Sequence, residues 1–133
     1  MNFENTLKNS GLRVTQPRIA ILKFFNASNR SYSLPELEEK LKVNMDRATI
    51  YRNLLSLHKN GILHQVKDSN GVNKYIQTKR DIAGNHAHFI CLNCGKLECL
   101  NNMLINTPNL PEGYVLKRQE YLVEGQCGHC ANL

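Results

Sequence analysis

The stretch NHAHFICLNCGKLEC, residues 85–99, holds two histidines and three of the chain's five cysteines. Imidazole and thiolate are ligands that suit Zn2+, and their spacing decides whether they serve one ion, two or none. Cys91 and Cys94 are separated by two residues, and Cys127 and Cys130 repeat that spacing further on. Each pair fits a tight turn that aims two sulfurs at one ion. Four thiolates satisfy tetrahedral Zn2+ and leave no open position, so such a site is structural. Binding there supplies roughly 10–16 kcal/mol that becomes folding free energy. A small module with a thin core needs that help. Redox dithiols are the competing chemistry, but two such motifs at the ends of one small module favour zinc. Gly95 and Gly128 are expected to ease the two turns.

The histidines separate from these sulfurs by parity. On a strand from Asn85 to Cys91, successive side chains alternate between faces. His86, His88 and Ile90 then share one face, and Ala87, Phe89 and Cys91 the other. A chain reversal around Asn93 and Cys94 sets His88 opposite Cys99, so His86, His88 and Cys99 form a second group. His64, on the first strand of an upstream hairpin, is the candidate fourth ligand. With Asn70-Gly71 as the turn, it is expected across from Gln77. Three imidazoles and a thiolate suit Zn2+ and are too soft for Mg2+ or Ca2+. An ion there would join two domains. The plain alternatives are a half-buried wing histidine at His64 and an ordinary buried cysteine at Cys99. His58 is expected to pack or face solvent, and His129 to be exposed or to stand behind the ligands. A catalytic zinc needs an open position and usually a general base. Glu98 is the nearest carboxylate, and parity turns it away from Cys99.

The elements that position these groups follow from local signals. Residues 3–9 suit a short helix. Thr15 caps a second, with Pro17 in its first turn and Ile19, Leu22, Phe24 and Phe25 at helical spacing. Ser33 and Glu36 make a capping box ahead of the Leu34, Leu37, Leu41 stripe. Lys42 to Met45 turns the chain, and Asp46 caps a helix with Ile50, Leu54 and Leu57 inward and Gly61 as its stop. The period then changes to two: Ile62–Val66 and Lys74–Gln77 flank the hairpin signal Asn70-Gly71. Helix, turn, helix, hairpin is the order of a winged helix, whose recognition element would start at Arg47. Residues 78–85 form a polar connector. Beyond it, short strands are expected near 86–91, 96–100 and 114–123, with room for one helical turn at most in 101–113. The fold class expected is α+β: a winged helix-turn-helix domain over 1–82, then a small α/β dimerisation and metal-sensing domain over 83–133 with a four-cysteine zinc site.

Charge divides along the same line. Residues 1–80 hold 14 Lys and Arg against 6 Asp and Glu, a formal +8; residues 81–133 hold 3 against 5, a formal −2. The first part suits an anionic partner. Arg47, Thr49, Tyr51 and Arg52 stand at or near the recognition element's start, where Arg meets guanine edges or phosphates and Thr or Tyr meets thymine methyls or phosphates. MNFENTLKNS reads as no export signal, and no apolar run approaches the ~18 residues of a membrane span. The chain is therefore expected to be cytoplasmic, with its thiols reduced and neither a membrane nor a small organic substrate as partner.

The segments GLRVTQPRIAIL, ATIYRNLLSL, HAHFICLNCGKL and CGHC resemble, in order, the ferric uptake regulator family of metal-dependent repressors. The resemblance implies a homodimer that binds palindromic, AT-rich double-stranded DNA when metal is present. It implies a zinc at Cys91, Cys94, Cys127 and Cys130. Arg13, Arg18 and Tyr51 match positions that the family uses at DNA, and the DNA-facing set is Arg13, Gln16, Arg18, Arg47, Thr49, Tyr51 and Arg52. Three departures bear on the second metal. Ser31 stands where iron and peroxide sensors usually place a histidine, Ile76 where they place an acidic ligand, and Cys99 where they place another. His64 matches a wing position of zinc-sensing members, while their other common site cysteine, near Gln77, is absent. The function expected is a zinc-responsive repressor and not an enzyme, with regulatory zinc at His64, His86, His88 and Cys99. An iron-responsive member using Fe2+, or a metal-insensitive one, is the alternative, and a zinc hydrolase the least favoured.

Overall fold

Short polar side chains start every helix of the N-terminal half. In the computed structural model, which describes residues 2–41, 45–77, 87–100, 109–116 and 121–132, Asn2 caps α1 (Phe3–Asn9). Thr15 Oγ1 accepts the Arg18 N–H at the start of α2 (Gln16–Asn26), with Pro17 in its first turn. Ser33 and Glu36 form both bonds of a capping box ahead of α3 (Leu34–Lys40). Asp46 accepts the Thr49 N–H and opens α4 (Arg47–Lys59). These caps satisfy N–H groups that have no partner within the helix. The turn expected at 42–45 falls largely outside the described residues.

The chain divides into two units, residues 1–78 and 79–133. In the first, Leu7, Ile21, Leu22, Phe25, Leu37, Ile50, Leu54 and Leu57 converge on one core with Ile62, Leu63 and Tyr75. Burying each large side chain contributes about 1.5–3 kcal/mol, which locks the α3–α4 pair against α1 and α2. The wing is β1 (His64–Lys67) antiparallel to β2 (Asn73–Ile76).

Its register differs from the expected one by a residue: His64 pairs with Ile76, not Gln77. Asp68 N donates to Val72 O at 2.9 Å and Gly71 N to Asp68 O at 3.0 Å. That is a β-turn over Asp68–Gly71 with Gly71 at φ +79°, a three-residue loop in place of a two-residue one. Asp68 Oδ1 selects it by accepting the N–H groups of Asn70 and Val72, each at 2.9 Å.

The second unit is a three-stranded sheet of order β4-β3-β5 with a short terminal helix. β3 (Ala87–Cys91) is central, antiparallel to β4 (Leu97–Leu100) and parallel to β5 (Tyr121–Gly125). α5 (Gly128–Ala131) follows β5. The third strand therefore lies later than expected. Tyr114, Val115 and Leu116 are exposed and stand in no strand. Residues 78–86, 101–108 and 117–120, which hold the connector and part of the expected irregular piece, lie outside the described residues. Among the described residues no helix is long and apolar enough to cross a membrane.

Candidate metal centre and DNA-facing surface

Two strands of one sheet deliver the four sulfurs. Parallel pairing sets Gly125 beside Cys91, and Leu92 N donates to Gly125 O at 2.8 Å. The chain then needs only Gln126 to bring Cys127 to the first knuckle. That knuckle turns tightly: Gly95 N donates to Cys91 O at 2.9 Å, with Gly95 at φ +80°. Gly128 plays no such part; it is the first residue of α5, and Cys127 makes the turn as the helix cap.

All four Sγ atoms lie within 4.8 Å of one another, and Cys94 Sγ stands 3.9 Å from Cys127 Sγ. A tetrahedron with Zn–S of about 2.3 Å has edges of about 3.8 Å, so the donors fit Zn2+ in number, type and separation. Cys91 is fully buried, which by itself would raise its pKa. Backbone N–H groups of Cys94, Cys127 and Asn93 outweigh the burial and bring it to about 6. Cys130 is pushed the other way, to about 12, by burial and by the neighbouring sulfurs. The Cys91 proton is the easier of these two to lose, and crowding of negative charge without a cation makes the Cys130 proton the harder.

The second group is partly in view. Cys91 N donates to Lys96 O at 2.9 Å, which makes that a hydrogen-bonded pair. Alternation along the ladder then makes His88 and Cys99 a non-hydrogen-bonded pair, in which Cα atoms stand about 4.5 Å apart and side chains are closest. His88 opposite Cys99 is the register expected from the sequence. His88 is buried and Cys99 exposed. Glu98 pairs with Phe89 on the opposite face. His64 is half-buried on β1 in the first unit, and His86 lies outside the described residues. His58 and His129 are exposed.

On the first unit, Tyr51 is 46% exposed on α4. Arg13, Gln16, Arg47 and Arg52 are exposed; Arg18 and Thr49 are half-buried. Arg18 Nη1 donates to the Arg13 carbonyl at 2.8 Å, so it braces the loop that carries Arg13. Arg47 Nε donates to Glu38 on α3, and Arg52 Nη2 to Thr49 Oγ1 at 3.4 Å. Sequence reading missed Gly125. A Cβ there would meet Phe89 Cε2 at 3.2 Å, and only its place two residues before Cys127 hinted at a close approach.

A capped helix-turn-helix with a two-stranded wing, joined in one chain to a sheet that presents four clustered thiols, defines a two-unit winged-helix metalloprotein. A model of the ferric uptake regulator family matches residues 9–111. The chain is 30% identical to the ferric uptake regulation protein of Bordetella parapertussis, over 98% of this chain and 97% of that one. The chain belongs to the ferric uptake regulator family. Among solved structures it is similar to the manganese-containing regulator from Pseudomonas aeruginosa, with TM-score 0.62, 19% identity and coverage of 96% and 99%. It is also similar to a zinc uptake regulator complexed with zinc and DNA, with TM-score 0.59, 19% identity and coverage of 97% and 90%. The protein is a metal-responsive transcriptional regulator, not an enzyme, and regulators of this family bind DNA as dimers.

Proposed function

We propose that the protein is a zinc-responsive repressor that binds a palindromic, AT-rich operator as a homodimer in the cytoplasm. In this reading Cys91, Cys94, Cys127 and Cys130 hold a structural zinc. His64, His86, His88 and Cys99 hold a regulatory one. The observation that carries the reading is the His88–Cys99 pair on neighbouring strands, with soft donors at the closest kind of cross-strand position. Ser31 and Ile76, both buried, stand where the family resemblance implies a histidine and an acidic ligand in iron sensors. The zinc uptake regulator bound to zinc and DNA is consistent with it.

Arg13, Gln16, Arg18, Arg47, Thr49, Tyr51 and Arg52 are the DNA-facing set, with Arg18 acting in part through Arg13. Metal raises operator affinity only as far as it binds the DNA-competent arrangement of the two units more tightly than others. An iron-responsive regulator with structural zinc alone is the second reading; the ferric uptake regulation protein of Bordetella parapertussis favours it. Metal analysis before and after mild chelation, paired with operator binding under Zn2+ and Fe2+ titration, separates the two. Two zinc per chain, one of them readily removed along with operator affinity, is the expected result. A single tightly held zinc with restoration by Fe2+ alone would overturn it.

A further inference from the structure

We infer that Lys74 is a positioning residue: shared between Asp68 of the wing loop and Glu36 of the α3 cap, it holds the wing at a set angle to the helix-turn-helix and so determines operator specificity. In residues 1–80, with a formal +8, each lysine is a candidate phosphate contact. Lys74 is different. Its side chain is only 16% exposed, and its Nζ lies 3.6 Å from Glu36 Oε1 and 3.5 Å from Asp68 Oδ2.

Both carboxylates are committed to local structure. Glu36 Oε1 accepts the Ser33 N–H at 3.0 Å, closing the capping box that starts α3. Asp68, itself 10% exposed, uses Oδ1 to accept the N–H groups of Asn70 and Val72 and thereby shapes the wing loop. The backbone joins the same two segments one residue away. Tyr32 N donates to Tyr75 O at 2.9 Å, and Tyr75 N to Tyr32 O at 2.8 Å.

That bridge and the buried Tyr75 side chain hold β2 to the helices at its base, away from the loop at Asp68. Lys74 adds a second tie, from the loop to the helix cap. Without the ammonium, two partly covered carboxylates lose their shared cation and the loop loses its tie to the helix cap. The core holds β2 and α4 together, and this contact sets the angle of the loop beyond it. The inference goes beyond the choice of metal and stands for either one.

The test uses full-length, metal-loaded protein and two duplexes: one selected by the wild-type protein from a random library, and a scrambled duplex of equal length. Lys74→Met keeps the apolar stem and removes the charge; Glu36→Gln keeps a capping-box acceptor and removes the other charge. Each is expected to lower affinity for the selected duplex roughly tenfold, the factor that a lost contact of about 1.4 kcal/mol produces. Affinity for the scrambled duplex stays unchanged, as does the slope of log affinity against log salt, and Lys74→Arg restores specific binding. A slope shallower by about 0.9 in Lys74→Met would make Lys74 a phosphate contact and overturn the inference. Wild-type specificity in Glu36→Gln would overturn it as well, and that variant decides alone if Lys74→Met does not fold.

Discussion

The backbone N–H of Cys127 donates to Cys91 Sγ across 3.3 Å, so the second knuckle is bonded to the first through the sulfur itself. Cys91 thus organises the cluster, and the same amide bonds favour its thiolate. Replacing Cys91 by Ser should remove the tightly held zinc and unfold residues 79–133, because about 10–16 kcal/mol of metal-linked folding energy goes with it. The unit 1–78, with its own core, should keep its helical circular dichroism. Metal analysis and sedimentation check this: a dimer that persists without zinc would count against a structural role.

Cys99 should behave in the opposite way. It lies across from His88 and away from the four sulfurs' knuckles. Cys99→Ser is expected to retain the structural zinc and the dimer. Its affinity for a second zinc should fall by at least the 10–100-fold typical of losses around a metal site. Zinc-dependent operator binding would fall with it. Unchanged zinc dependence would remove Cys99 from the regulatory site.

What could be read from the sequence, and what could not, divides by range. Thr15, Ser33 and Asp46 cap their helices through bonds spanning three residues, so the letters suffice. The His88–Cys99 register was readable because the knuckle fixes where the chain reverses. The wing register was not: Asn70-Gly71 suggests a two-residue turn, and only the Asp68 carboxylate, bonded to two amides, selects the longer loop. The place of β5 escaped because its parallel partner β3 lies far back in the chain. Lys74 reads as one more basic letter until its two distant carboxylates are seen.

Gly125 tests how the parallel pair delivers the second knuckle. A Cβ would come 3.2 and 3.3 Å from the Phe89 ring, closer than side chains normally pack. Phe89 is half-buried and can yield somewhat, so Gly125→Ala should cost about 1 kcal/mol, the low end for overpacking. Combining it with Phe89→Leu should recover part of that loss. Denaturant midpoints of the zinc-loaded protein measure both; equal losses in the single and double variants would mean the ring is not the obstacle.

Acid should loosen the wing first. Burial works to raise the Glu36 carboxyl, but the hydrogen bonds from Ser33 and the attraction of Lys74 hold it below its ordinary 4.5. The Val72 N–H, opposed by burial and helped by Asn70 and Lys74, holds Asp68 below its ordinary 3.8. Both folded pKa values are depressed, so both groups stabilise the fold fully above the unfolded values, and that stability is lost as pH falls through the folded ones. Amide exchange in residues 64–76 should therefore be insensitive to this pair above about pH 5 and accelerate, beyond the intrinsic rate, below about pH 4. Removing the ammonium in Lys74→Met takes away a cause that lowers both carboxyls, so the acceleration should begin at higher pH. If the variant's profile overlays the wild-type one, the ammonium does not couple the loop to the helix cap.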